Sequence, residues 1–465
     1  MHHKYLIIGA GPTGMGAAYR LKELGETDFK IIEAHAHVGG LATTFRDEKG
    51  FLWDIGGHVQ FSHYNYFDEL MLKAIKKENW LNHQRESWVW MRNRFIPYPF
   101  QNNIKYLPKE DLWKALEGLI SNASSSKKEE LKNFEDWIFQ SFGEGIANIF
   151  MKPYNYKVWA YPPSQMNYKW IGERVATVDL KRITENVIFD KEDRSWGPNN
   201  TFQFPLEGGT GQIWNNVADL IGKEYFSLNK RLTQLDPIKK RLFFQDGTEA
   251  TYEYLLSTIP IDKLSSMCTK HIKEDISVTS RLKHSSSHII GIGLKGRVTE
   301  ELKTKCWMYF PENNCPFYRV TVFSNYSPNN VPDPEVYWSL MTETSESPEK
   351  LVNRDGLIEE TIQGLLNTGL IQSRDQIVSK WHYTAEYGYP TPSLERDQVI
   401  RSVIPTLEQY DIYSRGRFGA WLYEVSNQDH SLMQGVEWAN RIVLKIPEIT
   451  FNYPSVANAN LGRLV

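Results

Sequence analysis

Cysteine is scarce in this chain. Three residues in 465, Cys268, Cys306 and Cys315, are too few for a disulfide framework. The gap of nine between Cys306 and Cys315 matches no short metal-ligand spacing, and no metal site is expected. No apolar run nears the roughly 20 residues of a membrane-spanning helix. The start, Met1 to Lys4 and then a strand-like run, lacks a secretory signal pattern. Charge of one sign is also missing: 53 Lys+Arg against 56 Asp+Glu leaves −3, which excludes a protein that coats nucleic acid or binds anionic lipid by charge. Repeats and low-complexity tracts are absent, and the polar stretch Ser124-Ser125-Ser126-Lys127-Lys128 reads as a solvated loop or helix start. Together these absences predict a cytoplasmic enzyme with no nucleic-acid or membrane partner.

What is present is apolar and aromatic. Hydrophobic residues make up 41%, enough for a sizeable core, and the length corresponds to about three domains of ~150 residues. The 15 Trp and 24 Tyr supply rings that can line pockets for planar ligands.

The first forty residues carry the sharpest local signal. Tyr5-Leu6-Ile7-Ile8 reads as a buried parallel strand. It stops at Gly9-Ala10-Gly11-Pro12-Thr13-Gly14, a G-x-G-x-x-G turn, and a helical pattern follows through Ala17, Ala18 and Leu21. Such a turn lets a pyrophosphate approach the backbone at a helix N-terminus. A second strand, Phe29 to Ile32, ends in Glu33, placed to accept hydrogen bonds from a ribose. The turn alone does not separate NAD from FAD. A second glycine pair, Gly39-Gly40, runs into Leu41-Ala42-Thr43, which resembles the flavin family of amine oxidases, phytoene desaturases and protoporphyrinogen oxidases and favours FAD.

Along the chain, residues 1–70, 200–280 and 405–465 are expected to form one discontinuous FAD-binding domain. The second segment includes Gly208-Gly209-Thr210-Gly211 opening a helix, and the third includes Asn427-Gln428-Asp429-His430-Ser431 before another. Residues 71–199 read as mainly helical and residues 281–404 as a sheet domain, with strand-like runs at 288–292 and 336–338. The predicted fold class is therefore α/β: a Rossmann-like FAD domain, a helical domain and an antiparallel-sheet substrate domain. Gly56-Gly57-His58 follows a strand near 51–55, and His58, His63, Tyr64 and Tyr66 crowd one short segment. Arg174, Arg319 and Arg417 stand among aromatic residues, where a guanidinium can grip phosphate through paired N–H bonds. Tyr309, Tyr326, Tyr389 and Tyr423 could add phenolic donors.

Longer motifs make the pattern specific. Gly57-His58-Val59-Gln60-Phe61-Ser62-His63-Tyr64, Pro97-Tyr98-Pro99-Phe100-Gln101-Asn102-Asn103, Pro153-Tyr154-Asn155-Tyr156-Lys157-Val158-Trp159 and Trp196-Gly197-Pro198-Asn199 occur in order. They are followed by Asn325-Tyr326-Ser327-Pro328, Gly388-Tyr389-Pro390-Thr391-Pro392 and Tyr423-Glu424-Val425-Ser426-Asn427-Gln428-Asp429-His430. With these, the chain closely resembles the eukaryotic-type UDP-galactopyranose mutases, from the first strand to about residue 455.

The resemblance implies interconversion of UDP-galactopyranose and UDP-galactofuranose: N5 of reduced FAD attacks the anomeric carbon, UDP leaves, the ring opens through an iminium and recloses. It implies FAD contacts at Gly9, Gly11, Thr13, Gly14, Glu33, Gly40, Leu41, Gly56, Gly57, Arg417, Asn427, Gln428 and Ser431, with His58 on a mobile loop beside the flavin. Phe100, Gln101, Phe150, Tyr154 and Asn155 would form the uridine slot, and Trp159 would close over the substrate on a flap. Arg174, Arg319, Tyr309, Tyr326, Tyr389 and Tyr423 would hold the pyrophosphate. Asn199, Trp307, Arg417 and Asn427 would lie near the sugar, and His58, Arg174 and Arg319 are the expected catalytic residues. NADPH is the expected reductant, at Arg85, Ser87 and Tyr98. The pattern leaves open another UDP-sugar, such as UDP-arabinopyranose, or an oxidase or desaturase of the wider flavin family. Gln60 departs from the apolar residue of fungal members, and the oligomeric state does not carry over.

Overall fold

In the computed structural model, which describes residues 1–125, 130–193 and 200–459, the first apolar run becomes the centre of a sheet. Strand His2–Ile8 pairs in parallel with Phe29–Ile32 on one side and Glu249–Ser257 on the other. Phe226–Ser227 and Ile412–Ser414 extend the parallel array at its two edges. Arg241–Phe244 and Leu232–Asp236 add an antiparallel wing. Parallel strands are buried on both faces, and here alternate side chains divide between two cores. Tyr5 and Ile7 pack with helices Pro12–Glu23, Gly209–Ile221 and Gln428–Leu444, while Leu6 and Ile8 pack with Ile261, Leu264, Val403 and Leu407.

Helices Pro12–Glu23 and Gln428–Leu444 cross at backbone contact. A Cβ on Gly435 would lie 1.9 Å from the Thr13 carbonyl oxygen, and one on Gly16 would lie 2.3 Å from that of Leu432. Glycine is required on both helices for this approach.

A second seven-stranded sheet runs in the order Ile377–Thr391, Lys283–Lys295, Tyr337–Glu346, Arg319–Val322, Trp307–Tyr309, Ser87–Met91, Arg94–Pro97. It is antiparallel except where Trp307–Tyr309 meets Ser87–Met91 in parallel. Ile290, Ile292 and Leu294 face a core capped by helix Leu357–Asn367, while Ile289 faces Trp53, Phe51 and the first sheet's side of the molecule. Helices Lys109–Ser124, Phe134–Ile146, Lys152–Trp159 and Leu180–Ile188 form a third packed unit with Phe100, Phe150 and Ile96.

The stretch 80–97, read from sequence with the helical segment, instead forms three strands. Trp80–Gln84 pairs with Thr201–Pro205, and the hairpin Ser87–Met91/Arg94–Pro97 joins the second sheet. Its alternation, with Ser87, Val89 and Met91 buried and Trp88 and Trp90 half-buried, is the period of a strand. No helix among the described residues is long and apolar enough to cross a membrane. Lys127, Lys128 and part of the Ser124 stretch lie outside the described residues.

Candidate active site

The dinucleotide turn has the geometry its glycines predict. Gly9 has φ +103°, and a Cβ on Gly14 would lie 2.0 Å from the Gly9 carbonyl oxygen, so turn and helix pack with no side chain between them. Gly11 caps helix Pro12–Glu23 without a side-chain partner, leaving N–H groups of the first turn to a ligand. Glu33 is buried, and its carboxylate accepts from the N–H groups of Ala10 (2.8 Å) and His35 (2.9 Å). A carboxylate offers about four lone-pair positions, so acceptor capacity is left for ribose hydroxyls. Gly40 sits against Gly11, with half-buried Leu41 beside it.

The other end of the chain completes this region. Buried Thr13 lies against Gly416, and Asn427 caps helix Gln428–Leu444. Ser431 donates to the Ser426 carbonyl (3.3 Å). Gln428 is engaged through Oε1 by the Trp214 indole N–H (2.7 Å), so its acceptor serves helix packing. The cradle's chemistry fits a dinucleotide: a glycine turn at a helix N-terminus, an acid at the ribose position and close-packed backbone around both.

Gly56, with φ +94°, turns the chain out of strand Leu52–Asp54 into Gly57 and His58. A Cβ on Gly57 would come within 2.9 Å of both Thr321 Oγ1 and Trp307 Nε1. The Gly57 N–H donates to Glu343 Oε1 at 3.0 Å. Glu343, 3% exposed, also accepts from Arg319 Nε and Nη2 (2.8 Å each) and from the Tyr318 hydroxyl (2.7 Å). Burial works against its charge, but these donors hold the carboxyl below the usual range. His58 lies near Glu343, Arg319 and Arg417; burial first, and then the two guanidinium groups, push its imidazole down to about 4. It is therefore neutral at pH 7, and its Nδ1 is buried without a partner among the described residues.

The three arginines share one aromatic enclosure. The Arg174 guanidinium lies 4.9 Å from the Tyr423 ring and donates to the Glu424 carbonyl (2.6 Å). Arg417 lies 4.9 Å from the Tyr389 ring and 5.9 Å from that of Tyr423, donating to the Gly388 carbonyl (2.9 Å) and Ser426 Oγ (2.9 Å). Burial lowers the Arg417 pKa, whereas Glu343 more than offsets burial at Arg319 and raises it. Arg319 Nη1 has no hydrogen-bond partner among the described residues.

A second wall is a chain of rings: Phe100 to Phe150 (4.5 Å), Phe150 stacked on Tyr154 (5.3 Å), Tyr154 to Tyr309 (5.5 Å), Tyr309 to Tyr98 (5.3 Å). Burial raises the pKa of Tyr98, Tyr154, Tyr326 and Tyr389, so these phenols stay protonated and able to donate. Gln101 donates to the Ala176 carbonyl (2.6 Å), while its Oε1 is buried without a partner. Asn155 Nδ2 donates to the Met151 carbonyl one helical turn back (2.7 Å). Trp159, at the end of helix Lys152–Trp159, is 2% exposed and packs edge-on against Tyr423 (4.7 Å), Trp170 (5.0 Å) and Tyr389 (5.7 Å). Here the ring is part of an aromatic packing unit that includes two of the tyrosines expected at the pyrophosphate.

Trp307 joins this site to a neighbouring pocket. Arg85 lies 5.9 Å from the Trp307 ring and 5.4 Å from that of Tyr98, and Arg85, Ser87 and Tyr98 line the pocket together with Gln84, Pro97 and Asn200. Among the described residues, Ser87 Oγ, Trp307 Nε1, Thr321 Oγ1 and the Tyr326 hydroxyl are buried without partners, as are both amide ends of Gln60. Buried polar groups are ordinarily paired, and the unpartnered atoms of Trp307 and Thr321 stand next to Gly57. Asn199 lies outside the described residues.

Sequence reading missed Glu343, Tyr318 and Thr321. It also missed the role of His63, whose Nδ1 bonds Asp429 Oδ2 at 2.7 Å and ties the far end of the His58 segment to helix Gln428–Leu444. His63, Asp429 and His430 place ligand-type atoms close together. The two imidazoles, however, stack at 4.5 Å, and the Nδ1 atoms already bond Asp429 and the Tyr64 hydroxyl, an arrangement of packing and not of chelation.

Residues 12–405 match the family model of the flavin containing amine oxidoreductases. A crystal structure of reduced UDP-galactopyranose mutase superposes with a TM-score of 0.96 at 47% identity, covering 99% of this chain and 98% of that one. Wild-type putrescine oxidase bound to putrescine shares the fold at TM-score 0.63 and 14% identity, over 96% of this chain and 99% of its own. Flavin-containing amine oxidase B of Canis lupus familiaris is 23% identical over 271 residues, 55% of this chain and 50% of that protein. The chain thus spans about half the length of the curated relatives it matches. With a family model that runs through most of its length and a glycine turn, ribose acid and closing helix in their places, the chain belongs to the flavin-containing amine oxidoreductase family.

Proposed function

We propose that this protein is a UDP-galactopyranose mutase, an isomerase with FAD as its cofactor that interconverts UDP-galactopyranose and UDP-galactofuranose. The observation that carries the reading is the near-complete match to the reduced mutase, with three arginines and a wall of protonated phenols beside the dinucleotide turn. When bound and reduced, FAD supplies a nucleophile for the anomeric carbon of the sugar.

The chain's own residues then have defined work. Gly9, Gly11, Thr13, Gly14, Glu33, Gly40, Leu41, Gly56, Gly57, Asn427, Gln428 and Ser431 hold the cofactor. Phe100, Phe150 and Tyr154 offer faces for uracil, while Gln101 Oε1 has no partner among the described residues and is available to the base. Arg174 and Arg319, with Tyr309, Tyr326, Tyr389 and Tyr423, hold the pyrophosphate both before and after it leaves the sugar, and Arg417 lies near flavin and sugar. Donors fixed in a dry site stabilise such a leaving group without reorganising. Trp307 borders the sugar, and Trp159 covers the substrate. His58, neutral at pH 7, acts as a hydrogen-bonding group at the flavin edge. Arg85, Ser87 and Tyr98 lie in one pocket and are assigned to NADPH as reductant, the guanidinium suiting a 2′-phosphate. We place the enzyme in the cytoplasm, where its three buried, unbridged cysteines stay reduced.

The test is anaerobic incubation of the FAD-loaded protein with UDP-galactofuranose, with and without dithionite, followed by chromatography of the nucleotide sugars. Conversion to UDP-galactopyranose only after reduction supports the reading. A fully reduced, flavin-loaded sample that leaves UDP-galactofuranose unchanged overturns it, and UDP-arabinopyranose is then the next substrate to assay.

A further inference from the structure

We infer that Glu343 is a positioning residue that ties the His58 loop to the pyrophosphate arginine, an inference that rests on the mutase reading above. Glu343 and Arg319 are register partners on neighbouring strands, so their side chains are set on the same face of the sheet. The carboxylate bridges two elements that differ in kind. On one side are Tyr318 and the strand residue Arg319 that follows it, held by three hydrogen bonds. On the other is Gly57, in the segment that turns on the positive φ of Gly56, held by its backbone N–H. Oε1 is shared: it accepts from both Gly57 and Arg319 Nε.

An anion that pairs with Arg319 competes with Glu343 for the same guanidinium. As Arg319 is drawn toward the pyrophosphate, Oε1 loses one of its two donors and its remaining bond to the Gly57 N–H strengthens. Occupancy of the anion site is thereby transmitted to the backbone next to His58. The carboxylate also sets the resting state, keeping a buried arginine neutralised while no anion is bound.

The experiment uses FAD-loaded Glu343→Gln, with UDP titrated against the protein and turnover measured after dithionite reduction. We expect an unchanged flavin absorbance spectrum, UDP bound several-fold more tightly because Arg319 has lost its competitor, and turnover about tenfold lower, the order of one hydrogen bond. In a double-mutant cycle with His58→Ala, the two losses should not add, because both act through the same loop. Weaker or unchanged UDP affinity, unchanged turnover, or additive losses would overturn the inference. Should Glu343→Gln fail to load FAD, Glu343→Asp gives the reading. It keeps the charge but shortens the reach, so UDP affinity should stay at the wild-type value while turnover falls; a change in affinity or full turnover would refute the link. A wild-type enzyme that binds UDP but converts no UDP-galactofuranose defeats the mutase reading, while the UDP titrations still report on the Glu343–Arg319 competition.

Discussion

Arg415 and Arg319 are both buried arginines paired with glutamate, yet they are enclosed in different ways. Arg415, with no exposed surface, bonds Glu448 through Nε (2.5 Å) and Nη2 (2.8 Å), Glu408 through Nη2 (2.6 Å) and the Ser414 carbonyl through Nη1 (2.9 Å). Phe451 covers its face at 4.0 Å, and Arg441 shares both carboxylates. Every edge of that guanidinium is used inside the protein. Arg319 has one carboxylate on two of its nitrogens, and around it stand the unpartnered polar atoms of Trp307, Thr321, Tyr326 and His58. A closed node is architecture; a node left incomplete in a buried place has carried the cost of desolvation without completing its bonds, which is the state the proposed pyrophosphate contact of Arg319 requires.

The contrast breaks most visibly at the closed node. Glu448→Ala leaves Arg415 with a single carboxylate and should lower stability by about 3–5 kcal/mol, read by denaturant unfolding of the FAD-loaded protein, with turnover per flavin unchanged. A loss under about 1 kcal/mol, the scale of a surface pair, would mean that the node is not holding the domain. At the open node, Arg319→Ala should cost about 10²–10³-fold in turnover, the scale of losing one fixed donor to a developing anion, while flavin absorbance shows the cofactor retained. Near-normal turnover would erase the distinction between the two arginines.

A pH experiment sharpens the same comparison. Burial, with some repulsion from Glu448, pushes the Glu437 carboxyl up to about 7 although it accepts from Thr450 and Ile449. The unfolded carboxyl ionises near 4.5, so between these values the folded state holds the extra proton. Stability from this group is full below the lower value and falls as pH rises toward 7, by roughly 3 kcal/mol. Glu437→Gln should flatten that slope in unfolding measured from pH 4.5 to 7.5; an unchanged slope would remove Glu437 from the account. The smallest effect concerns the neighbouring pocket. Arg85→Ala should slow reduction by NADPH about tenfold, the order of one hydrogen bond, and leave turnover intact after dithionite reduction. Equal loss under both protocols would take the nucleotide out of that pocket.

Sequence alone reached features whose cause is local. The run Tyr5–Ile8 with its glycine turn, the acid after the second strand and the helix after Asn427 are written in contiguous residues, and each lies where expected. The arginines were legible from local pattern only as residues in aromatic company; that Arg174, Arg319 and Arg417 arrive at one place from three parts of the chain could be expected only through the family resemblance. Glu343 was invisible for a physical reason: in Tyr337–Glu346 it alternates with threonine and serine as a solvent-facing acid would, and its burial comes from Arg319 and Gly57. The His63–Asp429 bond joins residues 366 positions apart, beyond any spacing rule. The hairpin at 87–97 was absorbed into a helical stretch because its strand partner, Trp307–Tyr309, lies far downstream.

The backbone contact between the helices of Gly16 and Gly435 sets an order of events during synthesis. Helix Pro12–Glu23 leaves the ribosome well before helix Gln428–Leu444, which makes the surface against which its Gly16 side must lie. Until then the glycine turn has no wall at Gly416 and Asn427, and a nascent chain offers FAD half a cradle. Cofactor capture therefore waits for helix Gln428–Leu444, and a message truncated before Gln428 yields a polypeptide in which helix Pro12–Glu23 keeps its strands and helix Gly209–Ile221 but lacks the wall beside Gly16.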